Sequence, residues 1–301
     1  MDSQIIDLKN IPDGHRSGYI ALIGKPNVGK STLMNSLLGR KLAIVTSKPQ
    51  TTRHRILGIK SEEAYQIIFL DTPGIIEPRY KLHQSMMQNV SSAIADADLL
   101  LFMADATQDT PDTFSLEHIG DRPAILVLNK LDLIPSDRAL PLVEAYTQLR
   151  VFEEVIPISA LKKKNLDVLL DIVISRLPLG PPFYPHDVLS DHPERFFISE
   201  IIREKIFEQF RQEVPYSTQV NIVTYEEREQ KKDFIDAEIV VERASQKGIL
   251  IGKGGKSLKR IGSSARLDIE AFLARSVYLQ LHVKVRDDWR NTNTLLRSYG
   301  Y

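Results

Sequence analysis

Short apolar runs alternate with amphipathic stretches through the first half of the chain. Tyr19–Gly24, Ala64–Leu70, 97–104, 124–129 and 154–159 are nearly continuous in apolar residues, and most run into a loop or turn signal. That pattern predicts strands buried on both faces. Between them lie helical patterns at 30–39, about 79–96, about 136–150 and 165–177. Strands alternating with helices predict parallel pairing in a doubly wound α/β sheet. Residues 53–60 add a strand just ahead of 64–70, close enough to predict an antiparallel hairpin at one edge.

Residues 178–193 carry five prolines in sixteen residues, which excludes a helix or a central strand. They are read as a linker between a domain at 1–177 and another at 194–301. The second half has another order: an amphipathic helix at about 194–213, strands in 218–225 and 234–243, a helix, glycines at 252–255, a long helix at about 256–275, and a strand at 277–285. This is an α+β pattern. Residues 226–233 read as a solvated hairpin loop.

The chain has 301 residues, 43% hydrophobic and 26% charged, an ordinary globular composition for two domains. It has no cysteine, which excludes disulfides, thiolate zinc sites and cysteine catalysis. No apolar run is long enough to predict a transmembrane helix. The first ten residues lack a basic segment followed by an apolar one, so a signal peptide is not expected. Net charge is zero, yet residues 243–301 hold 12 basic and 4 acidic side chains. Such a cluster is either a solvated face or an electrostatic footprint for nucleic acid.

Gly24-Lys25-Pro26-Asn27-Val28-Gly29-Lys30-Ser31 follows a predicted strand and, with Thr32, opens a predicted helix. This is the context a phosphate-binding loop requires. Its glycines let N–H groups turn toward phosphate oxygens, and the helix N-terminus adds its dipole. Lys30 supplies a charge for the β and γ phosphates, and the Ser31 hydroxyl can ligate Mg²⁺. Asp71-Thr72-Pro73-Gly74 ends a strand beside it. Asp71 is suited to hold the metal through water, and Gly74 to bring an N–H to the γ-phosphate. Asn129, Lys130 and Asp132 end another strand. A carboxylate at Asp132 accepts from the guanine ring N–H and amine, which adenine lacks there, so this set selects GTP over ATP. Lys130 can cover the base face with its stem. Ser159 and Ala160 follow the next strand and can offer N–H groups to the guanine carbonyl.

In this order the motifs resemble the translation-factor-related Ras-like GTPases over about residues 17–177. The resemblance implies a switch threonine in Gln50-Thr51-Thr52-Arg53 that reaches Mg²⁺ and the γ-phosphate. Thr52 is favoured, with Thr51 the alternative. One departure stands out. Ras-like proteins place a water-orienting glutamine after D-x-x-G, and here Ile75 occupies that position. The resemblance offers Asn27 as a K⁺ ligand that would supply charge instead; otherwise Asn27 simply caps the turn. Arg53, His54 and Arg55 are read as strand-edge surface residues.

Gly252-Lys253-Gly254-Gly255 is a G-x-x-G loop, flanked by the apolar Ile249, Leu250 and Ile251 and by Lys256, Lys259 and Arg260. The glycines permit close approach of a nucleotide backbone, and such a loop clamps about four nucleotides. It coincides with the basic segment, and the element order resembles a type-II KH domain. Arg266 and Arg275 either line the same face or pair with Asp268 and Glu270, and pairing is preferred.

A Ras-like GTPase domain joined to a C-terminal type-II KH domain resembles the Era family over nearly the whole chain. That resemblance implies hydrolysis of GTP to GDP with Mg²⁺, and with K⁺ if Asn27 binds it. It implies binding to the 3′ region of 16S rRNA in assembly of the 30S subunit, cytoplasmic location and peripheral contact with the inner membrane. No DNA partner is expected, and a monomer is. Two alternatives remain: an RNA-binding scaffold with a weakly hydrolysing nucleotide site, and a related GTPase acting on tRNA or the large subunit.

Overall fold

A computed structural model describes residues 12–135, 138–150 and 152–301; the amino-terminal ten residues read above lie outside these. The chain divides into two compact units. The first comprises the chain up to Ala43, Thr52–Glu77 and Met86–Asp191; the second comprises Ile44–Thr51, Pro78–Ser85 and His192–Tyr301.

The first unit is built on strands β1 (Arg16–Ile23), β2 (Ile56–Glu62), β3 (Tyr65–Asp71), β4 (Leu99–Asp105), β5 (Ala124–Asn129) and β6 (Glu154–Pro157). Their order is β2-β3-β1-β4-β5-β6. All pairs are parallel except the β2–β3 hairpin, which forms one edge. Every residue of β5 is buried, as a strand covered on both faces must be. Helices α1 (Lys30–Leu38), α2 (Lys81–Asp96), α3 (Thr113–Ile119), α4 (Ala139–Leu149) and α5 (Leu166–Arg176) alternate with the strands. The short α3 is an addition to the elements read from periodicity; Asp112 caps it by accepting from the Ser115 N–H at 3.1 Å. Chain order reverses on the two sides of β1, so the crevice at the carboxyl ends of β1, β3 and β5 is where a ligand site is expected.

The proline-rich stretch has no regular element, but it is strapped to this unit. Gln66, buried on β3, accepts from the N–H groups of Phe183 and Tyr184 at 2.7 and 2.9 Å and donates to the Tyr184 carbonyl. The N–H of Ile59 on edge strand β2 donates to the Leu189 carbonyl at 2.8 Å. The strap thus satisfies edge groups that would otherwise invite another strand.

The second unit holds α6 (Glu194–Gln209), α7 (Glu213–Tyr216), β7 (Gln219–Glu226), β8 (Asp233–Val241), α8 (Ala244–Ile251), α9 (Lys256–Leu273), β9 (Val277–Val285) and α10 (Asn293–Ser298). Its sheet order is β7-β8-β9, with β7–β8 antiparallel and β8–β9 parallel. Ile198, Ile202, Ile206, Ile239, Leu250, Ile261 and Ile269 meet in one core between sheet and helices. The chain after β9 was not anticipated from periodicity. Trp289 is fully buried there, and its indole N–H donates to the Ser217 carbonyl at 2.9 Å.

Segments 44–51 and 78–85 count with this unit because of what they touch. The Val45 N–H donates to Glu204 Oε1 at 3.0 Å, and Lys48 donates to the carbonyls of Phe207 and Phe210 at the end of α6. A cation there suits the negative end of the helix dipole. Arg203 donates to the Thr51 carbonyl at 2.5 Å, and the Arg290 guanidinium lies 4.6 Å from the Tyr80 ring centre.

Candidate nucleotide and nucleic-acid sites

In the first unit, Gly24 to Gly29 link β1 to α1 and form the predicted phosphate loop. Gly29 has φ +103°, and a Cβ there would come within 2.2 Å of the Asn129 amide nitrogen. Only glycine serves that position. Asn129 Nδ2 in turn donates to the Val28 carbonyl at 2.8 Å, while its Oδ1 accepts from the Ala160 N–H at 2.9 Å. Asn129 therefore ties three loops together from the end of β5. The Gly74 position is as tight, since a Cβ there would meet the Pro26 nitrogen at 2.4 Å.

Lys30 is buried, and its ammonium donates to the carbonyls of Gly24 and Lys25 at 3.0 and 2.8 Å. Burial pushes its pKa down to about 8, against the opposing pull of Asp71 and Asp112. Asp71 is fully buried, and desolvation pushes its carboxyl up to about 6 despite bonds from Ser31 and the charge of Lys30. Ser31 Oγ donates to Asp71 Oδ2 at 2.6 Å and lies 2.9 Å from Thr52 Oγ1. The other carboxylate oxygen, Asp71 Oδ1, is buried with no hydrogen-bond partner. Three hard oxygen donors, one of them orphaned, suit a small divalent cation, and a buried lysine short of counter-charge suits an anion. Of the two candidate threonines, Thr51 turns its hydroxyl to Thr46 and the Lys48 carbonyl, at 2.7 and 2.8 Å.

Beyond the ends of β5 and β6, Ser159 Oγ donates to Asp132 Oδ1 at 2.6 Å, which aims the carboxylate. Lys130 Nζ pairs with Asp105 at 2.6 Å, fixing the lysine stem. The Ser36 hydroxyl holds the Ala160 carbonyl at 2.9 Å. Lys25 reaches out to Asp112 at 3.1 Å. Asn27 takes a left-handed φ of 64° in the loop.

One reading holds and two change. Ile75 is buried in the core cluster beside Ile23 and Leu70, so its side chain has no part in orienting water. Arg53 was read as a surface residue; it is buried. Arg275 does not pair with Asp268 or Glu270. It spans Glu194, Glu227 and Asp233 at 2.6–3.2 Å, whereas Asp268 pairs with Lys205.

In the second unit, Gly252, Gly254 and Gly255 all have positive φ, and nothing lies within 4 Å of a Cβ built at Gly254 or Gly255. The loop is thus bare backbone open to approach. Lys253 sits in its short 3-10 turn, and Lys256, Lys259 and Arg260 follow in the first turns of α9. Leu250 is core, while Ile249 is half exposed. A groove of about 530 Å³ runs from Gly255 along Lys259, Gly262 and Arg266 of α9, beside β9, with Lys232 at its rim. Arg266 does bond Glu270, at 2.7 Å, yet it also lines this groove. Lys232 was missed as a groove residue, because it does not stand near the glycine motif in sequence.

Among the described residues, no helix is long and apolar enough to cross a membrane. The 50S ribosome-binding GTPase family profile matches residues 19–130, and a KH domain profile matches residues 213–290. The chain is 53% identical over 294 residues to the maize protein "GTPase ERA1, chloroplastic", covering 95% of this chain and 71% of the relative. An Arabidopsis thaliana relative, "GTPase ERA-like, chloroplastic", is 49% identical over 309 residues, covering 100% and 72%. Two solved structures superpose with a TM-score of 0.91 at 42% identity, covering 95% of this chain and 99% of theirs. One is an Aquifex aeolicus Era variant bound to GDP·AlF4⁻, and the other is Era with MgGDPNP and nucleotides 1506–1542 of 16S ribosomal RNA. With identity and coverage this high across both units, the chain belongs to the Era family of GTPases.

Proposed function

We propose that this GTPase is a GTP-driven switch that binds the 3′ region of small-subunit rRNA and assists assembly of the 30S subunit. The observation that carries the reading is the presence, in one chain, of a guanine-selective phosphate site and a basic groove headed by an open G-x-x-G loop. The related complex with a 16S rRNA fragment supports the choice of RNA.

Gly24 to Thr32 cradle the phosphates with N–H groups, and Lys30 neutralises the β and γ oxygens. Ser31 and Thr52, with Asp71 through water, would hold Mg²⁺, which would supply positive charge against that of the phosphates. Asp132 and Asn129 fix the guanine, Lys130 covers its face, and Ser159 and Ala160 close the pocket. Thr72, Pro73 and Gly74 set the loop whose N–H meets the γ-phosphate. Loss of that phosphate frees Thr52 and Gly74, and this differential contact is what a switch requires. Ile75 cannot position water, so the transition-state charge falls to another group. K⁺ held at Asn27 is our candidate, and hydrolysis in K⁺ should exceed hydrolysis in Na⁺. In the second unit Gly252 to Gly255 clamp the RNA backbone while Lys253, Lys256, Lys259 and Arg260 meet phosphates. The domains are taken as 1–177 and 194–301. The protein acts as a monomer in the soluble phase, the cytoplasm of a bacterium, with any contact to the inner membrane peripheral.

The test is crosslinking and sequencing of RNA bound to protein loaded with a GTP analogue or with GDP, beside Gly254→Asp and Gly255→Asp. Crosslinks gathered at the 3′ end of small-subunit rRNA, favoured by the analogue and lost in the variants, support the reading. Crosslinks to tRNA or large-subunit rRNA overturn the target. Crosslinks indifferent to nucleotide overturn the switch.

A further inference from the structure

Tyr278 is a large aromatic residue, 57% exposed, at the second position of β9. Alternation along β9 puts Val277, Leu279 and Leu281 on the core side and Tyr278 on the opposite side of the sheet. Its partner in register on β8 is Phe234. The two rings lie nearly parallel, 15° apart, with centres 6.0 Å from one another. The Arg228 guanidinium covers Phe234 at 4.8 Å from its ring centre. Neither ring belongs to the hydrophobic core of this unit. Strand β9 is the edge of the sheet, so Phe234 backs Tyr278 on one side and no strand covers the other.

The same residue lies at the rim of the basic groove. Gly255 marks the groove's glycine end and Arg266 lies eleven residues along α9, about 16 Å away at helical rise. Arg266, Lys232 and Tyr278 all line this groove, so two cations share it with an exposed aromatic ring. A polynucleotide leaving the clamp along α9 meets positive charge for its phosphates and then a rigid ring at the sheet edge. Aromatic faces take bases of any identity by stacking.

We propose that Tyr278, backed by Phe234 and Arg228, is a stacking shelf for one base of single-stranded RNA beyond the nucleotides clamped by the G-x-x-G loop. The inference rests on the groove being the RNA site. The shelf extends the footprint and adds affinity without adding sequence preference, since stacking does not read base edges.

The experiment measures affinity of the full chain for RNA of 16S nucleotides 1506–1542, intact and with single abasic positions, at fixed salt. Tyr278→Ala is expected to weaken binding about tenfold, and Tyr278→Trp to retain it. One abasic position should cost the parent protein about tenfold and cost Tyr278→Ala nothing more. Thermal melts of the variants should match the parent, because the ring is outside the core. Tyr278→Ala binding within twofold of the parent, while Gly254→Asp abolishes binding, overturns the shelf and leaves the groove intact. Binding indifferent to Gly254→Asp overturns the groove reading, and the shelf with it.

Discussion

Ser31 Oγ donates to Asp71 Oδ2 at 2.6 Å, joining the first residues of α1 to the end of β3. The bond uses one carboxylate oxygen and leaves the other buried without a partner. An orphaned carboxylate oxygen in a dry site is costly unless a cation completes it. Asp71→Asn keeps the shape but removes the charge. We expect affinity for a GTP analogue to fall at least tenfold in Mg²⁺, with little change when Mg²⁺ is chelated. A fluorescent-analogue titration with and without Mg²⁺ checks this, and an equal loss in both conditions assigns Asp71 a purely structural role.

The Ser159 hydroxyl donates to Asp132 Oδ1 at 2.6 Å and so holds the carboxylate proposed to accept from guanine. Asp132→Asn replaces an acceptor by an amide that can donate. GTP should then bind about 100-fold or more weakly, as expected where a recognition site loses its matching hydrogen bonds. Xanthosine triphosphate, which has a carbonyl where guanine has its amine, should bind better than to the parent. Competition between the two nucleotides reads this directly, and an unchanged preference for GTP places recognition elsewhere.

The loops of the proposed nucleotide site were legible because they sit at strand ends within short, ordered motifs, where local spacing carries the chemistry. Gly29 and Asn129 are 100 residues apart, yet the loop and strand that present them were each readable alone. Other features depend on contacts between distant segments. The burial of Arg53, the core position of Ile75 and the docking of Trp289 against Ser217 have no local signature. The groove followed the same rule: its glycine end and Arg266 share one helix, while Lys232 joins it only through the sheet.

Arg203 is such a long-range residue. It is almost fully buried on α6, donates from Nε to Glu200 Oε1 at 2.7 Å and reaches the Thr51 carbonyl at 2.5 Å. Nearby carboxylates raise its pKa against the effect of burial, so the ion pair is charged. Removing one member of a buried pair costs about 3–5 kcal/mol, whereas replacing both by apolar residues costs far less. Arg203→Met should therefore lower the urea midpoint of the second unit sharply, and Arg203→Met with Glu200→Met should recover most of it. A double variant that loses as much as the two single variants together would show that the two side chains act independently.

Glu270 couples α9 to the start of β9. Its Oε1 accepts from the Val277 N–H at 3.0 Å and its Oε2 from Arg266 at 2.7 Å. The backbone bond is the larger cause, with Arg266 adding to it, and together they hold the carboxyl below its ordinary value. A depressed folded-state pKa means that the folded protein resists protonation more than the unfolded chain. The stabilisation is present in full above the unfolded pKa of about 4.3 and is lost as pH falls through the lower folded value. Glu270→Gln should therefore be less stable than the parent at pH 7, with the gap closing as pH drops from about 5 toward 3. Urea midpoints across that range test the sign: a gap that stays constant or widens in acid removes Glu270 from the account.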